Sequence, residues 1–126
     1  MEIFTYISIA LKLIIGISIL NVWLVQPKKA TKWRGGNAEN IVEEFEYYGL
    51  SKTVCYLIGF LKVSLSILLL VSIKLTDFTV IASSGLALLL LGSVLMHFKV
   101  KDPLYKSFPA ALFIVLNLFV IGLAYM

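Results

Sequence analysis

The sequence predicts an all-α integral membrane protein: an antiparallel four-helix bundle with a short amphipathic helix in its first connection. Three observations carry that expectation. Of 126 residues, 60% are hydrophobic and only 14% are charged, whereas soluble domains carry about 25% charged residues. The apolar residues collect in four stretches, Ile3 to Val25, Thr53 to Ile73, Phe78 to Phe98 and Phe108 to Met126, each near the roughly 20 residues that carry a helix across a hydrocarbon core. The connections are short, and the longest, Gln26 to Lys52, is too small to fold as a separate unit. Residues 1–126 are therefore expected to form one membrane domain.

The first stretch is longer than the apolar core of a secretory signal, no basic side chain precedes it, and no small-x-small cleavage pattern follows Val25. It is assigned as the first transmembrane helix. Pro27 stops it, Gly35 and Gly36 supply a turn, and Asn37 is placed to cap a helix over residues 38–48 that Gly49 ends. Ile41, Val42, Phe45 and Tyr48 share one face of that helix, with Glu39, Glu43 and Glu46 largely opposite. An acidic outer face favours packing over the bundle end above adhesion to anionic lipid. The links Lys74 to Asp77 and Lys99 to Ser107 are short enough to force hairpins between successive spans.

Orientation follows from basic residues in the connections. Lys28, Lys29, Lys32, Arg34 and Lys52 lie in the first and Lys99, Lys101 and Lys106 in the third, against Lys74 alone on the other side. The positive-inside rule places the first and third connections in the cytoplasm and both termini outside, as in a bacterial inner membrane. The net charge of +4 is thus membrane-flanking charge, and no nucleic-acid partner is expected.

Lys62 lies near the middle of an otherwise uncharged stretch, where a lysine costs about 2.5–3.5 kcal/mol on insertion scales. Cys55, Gly59, Lys62 and Ser66 recur at helical spacing, and Thr5, Ser8, Lys12 and Gly16 form a comparable stripe on the first helix. Small residues admit a neighbouring helix, so both stripes are expected to face inward. Each lysine is the tenth residue of its stretch, which predicts similar depths, with snorkelling toward an interface as the alternative for Lys12. No carboxylate lies within the four stretches. Candidate partners are backbone carbonyls, the hydroxyls of Tyr56 or Ser66, Asn21 or Asn117, a glutamate dipping from the amphipathic helix, or an anionic or carbonyl-bearing ligand. Asn117 also suits helix-to-helix hydrogen bonding.

His97, the single histidine, closes the third helix, with Asp102 near enough in sequence to orient its ring. It can bind a carbonyl, pass a proton, or simply finish a helix end. One histidine and one cysteine, Cys55, cannot supply bis-histidine haem ligation, a zinc site or an intrachain dithiol relay. Phosphate-binding glycine loops and nucleophile elbows are absent, so no catalytic residue, metal site or encoded cofactor is expected. Trp23, Trp33, Tyr47 and Tyr48 sit near segment ends, where aromatic side chains anchor to the membrane interface.

Gly59-Phe60-Leu61-Lys62 followed by Ile67-Leu68-Leu69-Leu70, the run from His97 to Asp102 followed by Pro109, and Tyr48-Gly49-Leu50 together resemble the DoxX-like family of small bacterial and archaeal membrane proteins, over nearly the whole chain. The resemblance implies a four-helix membrane protein, often an accessory partner in redox or assembly, and points to Lys62 and His97. The leading expectation is a non-catalytic accessory subunit that binds a quinone-like or lipid-like molecule, or docks a membrane redox partner, through a polar site inside the bundle. A membrane-protein assembly factor is the alternative. A small-solute transporter, formed as a homo-oligomer, ranks last because no inverted repeat is visible.

Overall fold

The computed structural model describes residues 2–126, all helix and connection with no strand among them. Helix α1 (Glu2–Leu20) runs into a π-helical turn (Asn21–Val25), followed by α2 (Ile41–Tyr47), α3 (Lys52–Val71), α4 (Thr79–Lys99) and α5 (Phe108–Ala124). Short 3₁₀ turns at Thr76–Phe78 and Leu104–Ser107 lead into α4 and α5. Four segments, Glu2–Val25, Lys52–Val71, Thr76–Lys99 and Leu104–Ala124, are long and apolar enough to cross a membrane and end within a few residues of the predicted stretches. Phe60, Leu88 and Phe119 are each at least 60% exposed, a surface that lipid solvates and water does not.

The spans form an antiparallel bundle in which α1 and α4 each pack on α3 and α5. Its core is Ile15 and Ile19 from α1, Leu69 from α3, Ala82 and Leu86 from α4, and Val120 from α5. Close approach depends on small residues. A Cβ added at Gly16 would meet Leu70 at 2.8 Å, and one added at Gly59 would meet Trp23 at 2.6 Å. These two contacts fix the stagger of α1 against α3. They also overturn the expectation that Lys12 and Lys62 share a depth: Lys12 is level with the end of α3, whereas Lys62 is level with the last turns of α1. The two are offset by roughly 12–15 Å of helix. Rank within an apolar stretch misleads because the stretches are not flush, and α1 overshoots α3 through its π-helical turn.

Helix α2 is shorter than the predicted 38–48. Its cap is Asn40, not Asn37: Asn40 Oδ1 accepts the Glu43 N–H at 2.8 Å and Asn40 Nδ2 donates to Glu43 Oε2 at 2.9 Å, a reciprocal capping arrangement. Residues 35–38 are committed to a turn, with Gly36 at φ 55° and the Ala38 N–H on the Gly35 carbonyl, so Asn37 cannot start a helix. Gly49 ends α2 at φ 85°, and the Leu50 N–H returns to the Phe45 carbonyl at 2.9 Å, a Schellman closure. Ile41, Phe45 and Tyr48 are buried and Glu39, Glu43 and Glu46 are exposed. The helix lies over one end of the bundle, packed on Cys55, Val54 and Ile58 of α3.

Candidate functional site

The helical spacing of the α3 stripe places Cys55, Gly59, Lys62 and Ser66 together on the buried face. Lys62 is 8% exposed. Its ammonium donates to Ser93 Oγ on α4 at 3.2 Å and lies 5.7 Å from the centre of the Trp23 ring, within cation–π range. An ammonium has three hydrogens, and this one has a single acceptor. Among the described residues the ion pairs are Arg34–Glu44 and His97–Asp102, so the charge of Lys62 faces no bound carboxylate.

The end of α4 folds back on itself. Lys101 adopts the left-handed conformation (φ 59°) and the Asp102 N–H returns to the His97 carbonyl at 3.0 Å, another Schellman closure. That curl carries the Asp102 carboxylate to the imidazole, where Oδ2 lies 2.7 Å from Nδ1, the contact suggested by the sequence. Asp102 Oδ1 also accepts the Gly36 N–H at 3.1 Å. The Tyr48 ring stands nearly perpendicular to the imidazole, with centroids 5.6 Å apart. Its oxygen is 3.3 Å from Nε2 and 3.5 Å from Nδ1, within hydrogen-bond distance of the ring nitrogens. The hydroxyl donates to Glu44 Oε2 at 2.9 Å. Burial, and then the Glu44 carboxylate, push the Tyr48 phenol well above its usual range.

Arg34 holds the first connection together. Its guanidinium donates to the carbonyls of Lys29 at 2.9 Å and Gln26 at 3.0 Å and approaches Glu44 Oε1 at 3.5 Å; Glu44 Oε2 also receives the Gly35 N–H at 2.7 Å. Lys106 donates to the Gly36 carbonyl, and Lys99 to that of Tyr48 at 3.2 Å. Residues 26–50 are thus a lid tied to the joint between α4 and α5.

Beneath the lid is a cavity of about 520 Å³. Lys62, Ser93 and His97 line it from the spans and Arg34, Glu44 and Tyr48 from the lid, while Trp23, Leu90 and Phe113 supply apolar wall. Both Glu44 oxygens are occupied, and Asp102 is held by His97 and Gly36. The Lys62 ammonium, with Ser93 as its single acceptor, keeps donor capacity for a guest. This arrangement can bind an electron-rich or anionic head joined to an apolar body. No group of three or more histidine, cysteine or acidic side chains comes together among the described residues.

The other residues singled out by sequence lie elsewhere. Tyr56 is 64% exposed on the outer face of α3. Ser66 is fully buried without a hydrogen-bond partner and does not line the cavity. Asn117 joins α5 to α4, with Oδ1 accepting from Ser83 Oγ at 2.6 Å and Nδ2 donating to the Phe113 carbonyl at 2.8 Å. Lys12 lies at the opposite end of the bundle. Conversely, Trp23 and Tyr48 are cavity walls, contrary to the expectation of interfacial anchors: Trp23 packs on Gly59 and edge-on to Phe45 at 6.0 Å, and Tyr48 is 5% exposed. The inward position of Glu44 had a signal, because residues 41, 44, 45 and 48 follow one helical stripe.

A family model, that of the DoxX-like family, matches residues 32–120. No curated protein and no solved structure matches the chain. The match begins in the lid and ends in α5, so it contains Arg34, Lys62 and His97 and omits α1; the resemblance is less extensive than the sequence suggested. A pattern of four apolar helices is shared by many unrelated membrane proteins, but a match across the lid and three of the four spans is not, and the chain is a multi-pass integral membrane protein that belongs to the DoxX-like family.

Proposed function

We propose that the protein is a non-catalytic accessory subunit that holds a quinone-like or lipid-like amphiphile in the lidded cavity, with the polar head at Lys62 and His97. One observation carries this reading: the ammonium of Lys62, with Ser93 as its single acceptor and no ion-pair partner, lines a cavity of about 520 Å³ together with the imidazole of His97 that Asp102 holds. That volume is within the range of small-molecule sites, and apolar walls with a few placed polar groups are their usual composition. Lys62 donates to a carbonyl or anionic oxygen of the head, Asp102 fixes the ring of His97 for a second polar contact, and Trp23 and Phe113 flank the apolar body. Electron transfer would fall to a partner carrying a redox group. The lid and its basic residues belong on the cytoplasmic side of a bacterial inner membrane, with both termini outside, by the positive-inside rule. Pairing of Lys62 with a client helix, as an assembly factor would require, is disfavoured by its inward position.

The test is amphiphile content after extraction in mild detergent. Wild-type protein should carry about one equivalent of a single amphiphile class by mass spectrometry, and Lys62→Met should lose it. The same variant should unfold no more easily than wild type, because exchanging a buried unpaired charge for an apolar side chain of similar volume is neutral or stabilising. Unchanged amphiphile content in Lys62→Met would overturn the proposal.

A further inference from the structure

At the far end of the bundle a second cavity, of about 460 Å³, opens among the starts of α1 and α4 and the ends of α3 and α5. Lys12 lines it and is 3% exposed. Its ammonium donates to the Ser72 carbonyl and to Thr79 Oγ1, each at 2.9 Å. Both acceptors are uncharged, and the third hydrogen and the net charge have no anionic partner among the described residues. Asp77 lines the same cavity from the turn before α4, is exposed, and makes no ion pair with Lys12. One wall therefore presents a deep cation and a rim anion, separated by more than ion-pair distance. Hydroxyl-bearing Ser8 and Thr76 lie on it, and Phe4, Ile9 and Leu123 give an apolar flank.

We infer that this cavity binds the headgroup of a zwitterionic phospholipid bearing a primary ammonium, with the phosphate at Lys12 and the ammonium at Asp77. The order of charges supports the assignment. From hydrocarbon toward water such a lipid headgroup presents phosphate, then ammonium, and the cavity presents the buried lysine, then the exposed aspartate. Lys12 and the hydroxyls donate to phosphate oxygens, and the Asp77 carboxylate accepts from an N–H-bearing ammonium. An anionic headgroup without an amine would leave Asp77 repelling it. The site is independent of the lidded cavity, since the core of Ile15, Leu69, Leu86 and Val120 lies between them.

The experiment is native mass spectrometry of the full chain in mild detergent, with dioleoyl phosphatidylethanolamine or dioleoyl phosphatidylglycerol added in turn. Wild-type protein should retain about one equivalent of the ethanolamine lipid, roughly tenfold more tightly than the glycerol lipid. Asp77→Asn, a change at an exposed residue, should abolish that preference, and Gly92→Ala, whose added Cβ meets nothing within 4 Å, should leave it unchanged. Equal retention of the two lipids by wild type, a preference that survives Asp77→Asn, or its loss in Gly92→Ala would each overturn the assignment. Soluble glycerophosphoethanolamine competing as well as the lipid would overturn the lipid as source.

Discussion

Adding one methyl group at Gly59 isolates the packing that shapes the lidded cavity. The new Cβ would lie 2.6 Å from both Cε3 and Cζ3 of Trp23, about 1 Å inside the 3.5–4.0 Å at which carbon atoms attract. The edge-on contact of the ring with Phe45 limits how it can yield. Overpacking of this kind costs about 1–3 kcal/mol, while alanine in place of glycine returns about 1 kcal/mol of helix propensity. Gly92→Ala in α4 is a matched control: nothing lies within 4 Å of its added Cβ, so it takes the propensity gain alone. The two variants should therefore differ in unfolding free energy by about 1–3 kcal/mol, measured by SDS titration of detergent-solubilised protein. In a Trp23→Leu background the difference should fall below about 0.5 kcal/mol, since the cost arises from that one contact. Amphiphile retention should fall in Gly59→Ala as well, because the displaced ring walls the cavity. Equal stabilities for the two alanine variants, or a difference that persists without Trp23, would refute the packing argument.

Lys12→Met should be destabilised by about 2 kcal/mol through loss of two charged hydrogen bonds that join α1 to the α3–α4 hairpin, whereas Lys62→Met is not; SDS titration of the pair checks the contrast. Asp102→Asn removes the charged acceptor shared by His97 and Gly36, worth about 1.5–3 kcal/mol, and should speed proteolysis within residues 28–36; cleavage at the wild-type rate would mean that the lid is held without it. The Tyr48 phenol ionises above its ordinary value of 10.0, so unfolded chains release this proton first. Its contribution to stability is present below pH 10 and is lost as pH rises beyond it, and Tyr48→Phe should flatten that decline. Ultraviolet titration of tyrosinate in folded protein should likewise give the same amplitude up to about pH 11 with or without Tyr48.

The spans were legible because lipid imposes a long, uninterrupted apolar pattern that no other environment requires, and the inward stripe through Lys62 because small residues recur at helical spacing. The bond from Asp102 to His97 was legible because five residues suffice to return a chain past a helix end. The stagger of α1 against α3 was not. It depends on which glycine meets which large side chain, Gly16 with Leu70 and Gly59 with Trp23, and apolar stretches carry no mark of such pairings. Lys12 was misplaced for that reason. The cap of α2 was missed because Asn37 and Asn40 are equally good caps locally, and the turn at Gly36, tied to Asp102 and Lys106, decides between them. Trp23 and Tyr48 resemble interface anchors by position alone; only the lid folding over them makes them interior. Arg34 counts toward membrane orientation in the sequence, yet it also caps carbonyls of its own connection.

The core between the two cavities has an electrical consequence. At its level Ile15, Leu69, Ala82, Leu86 and Val120 leave no exposed surface, and the polar pair Ser83 and Asn117 is closed on itself by hydrogen bonds. The two lysines therefore lie on opposite sides of a low-dielectric apolar layer that keeps their charges apart.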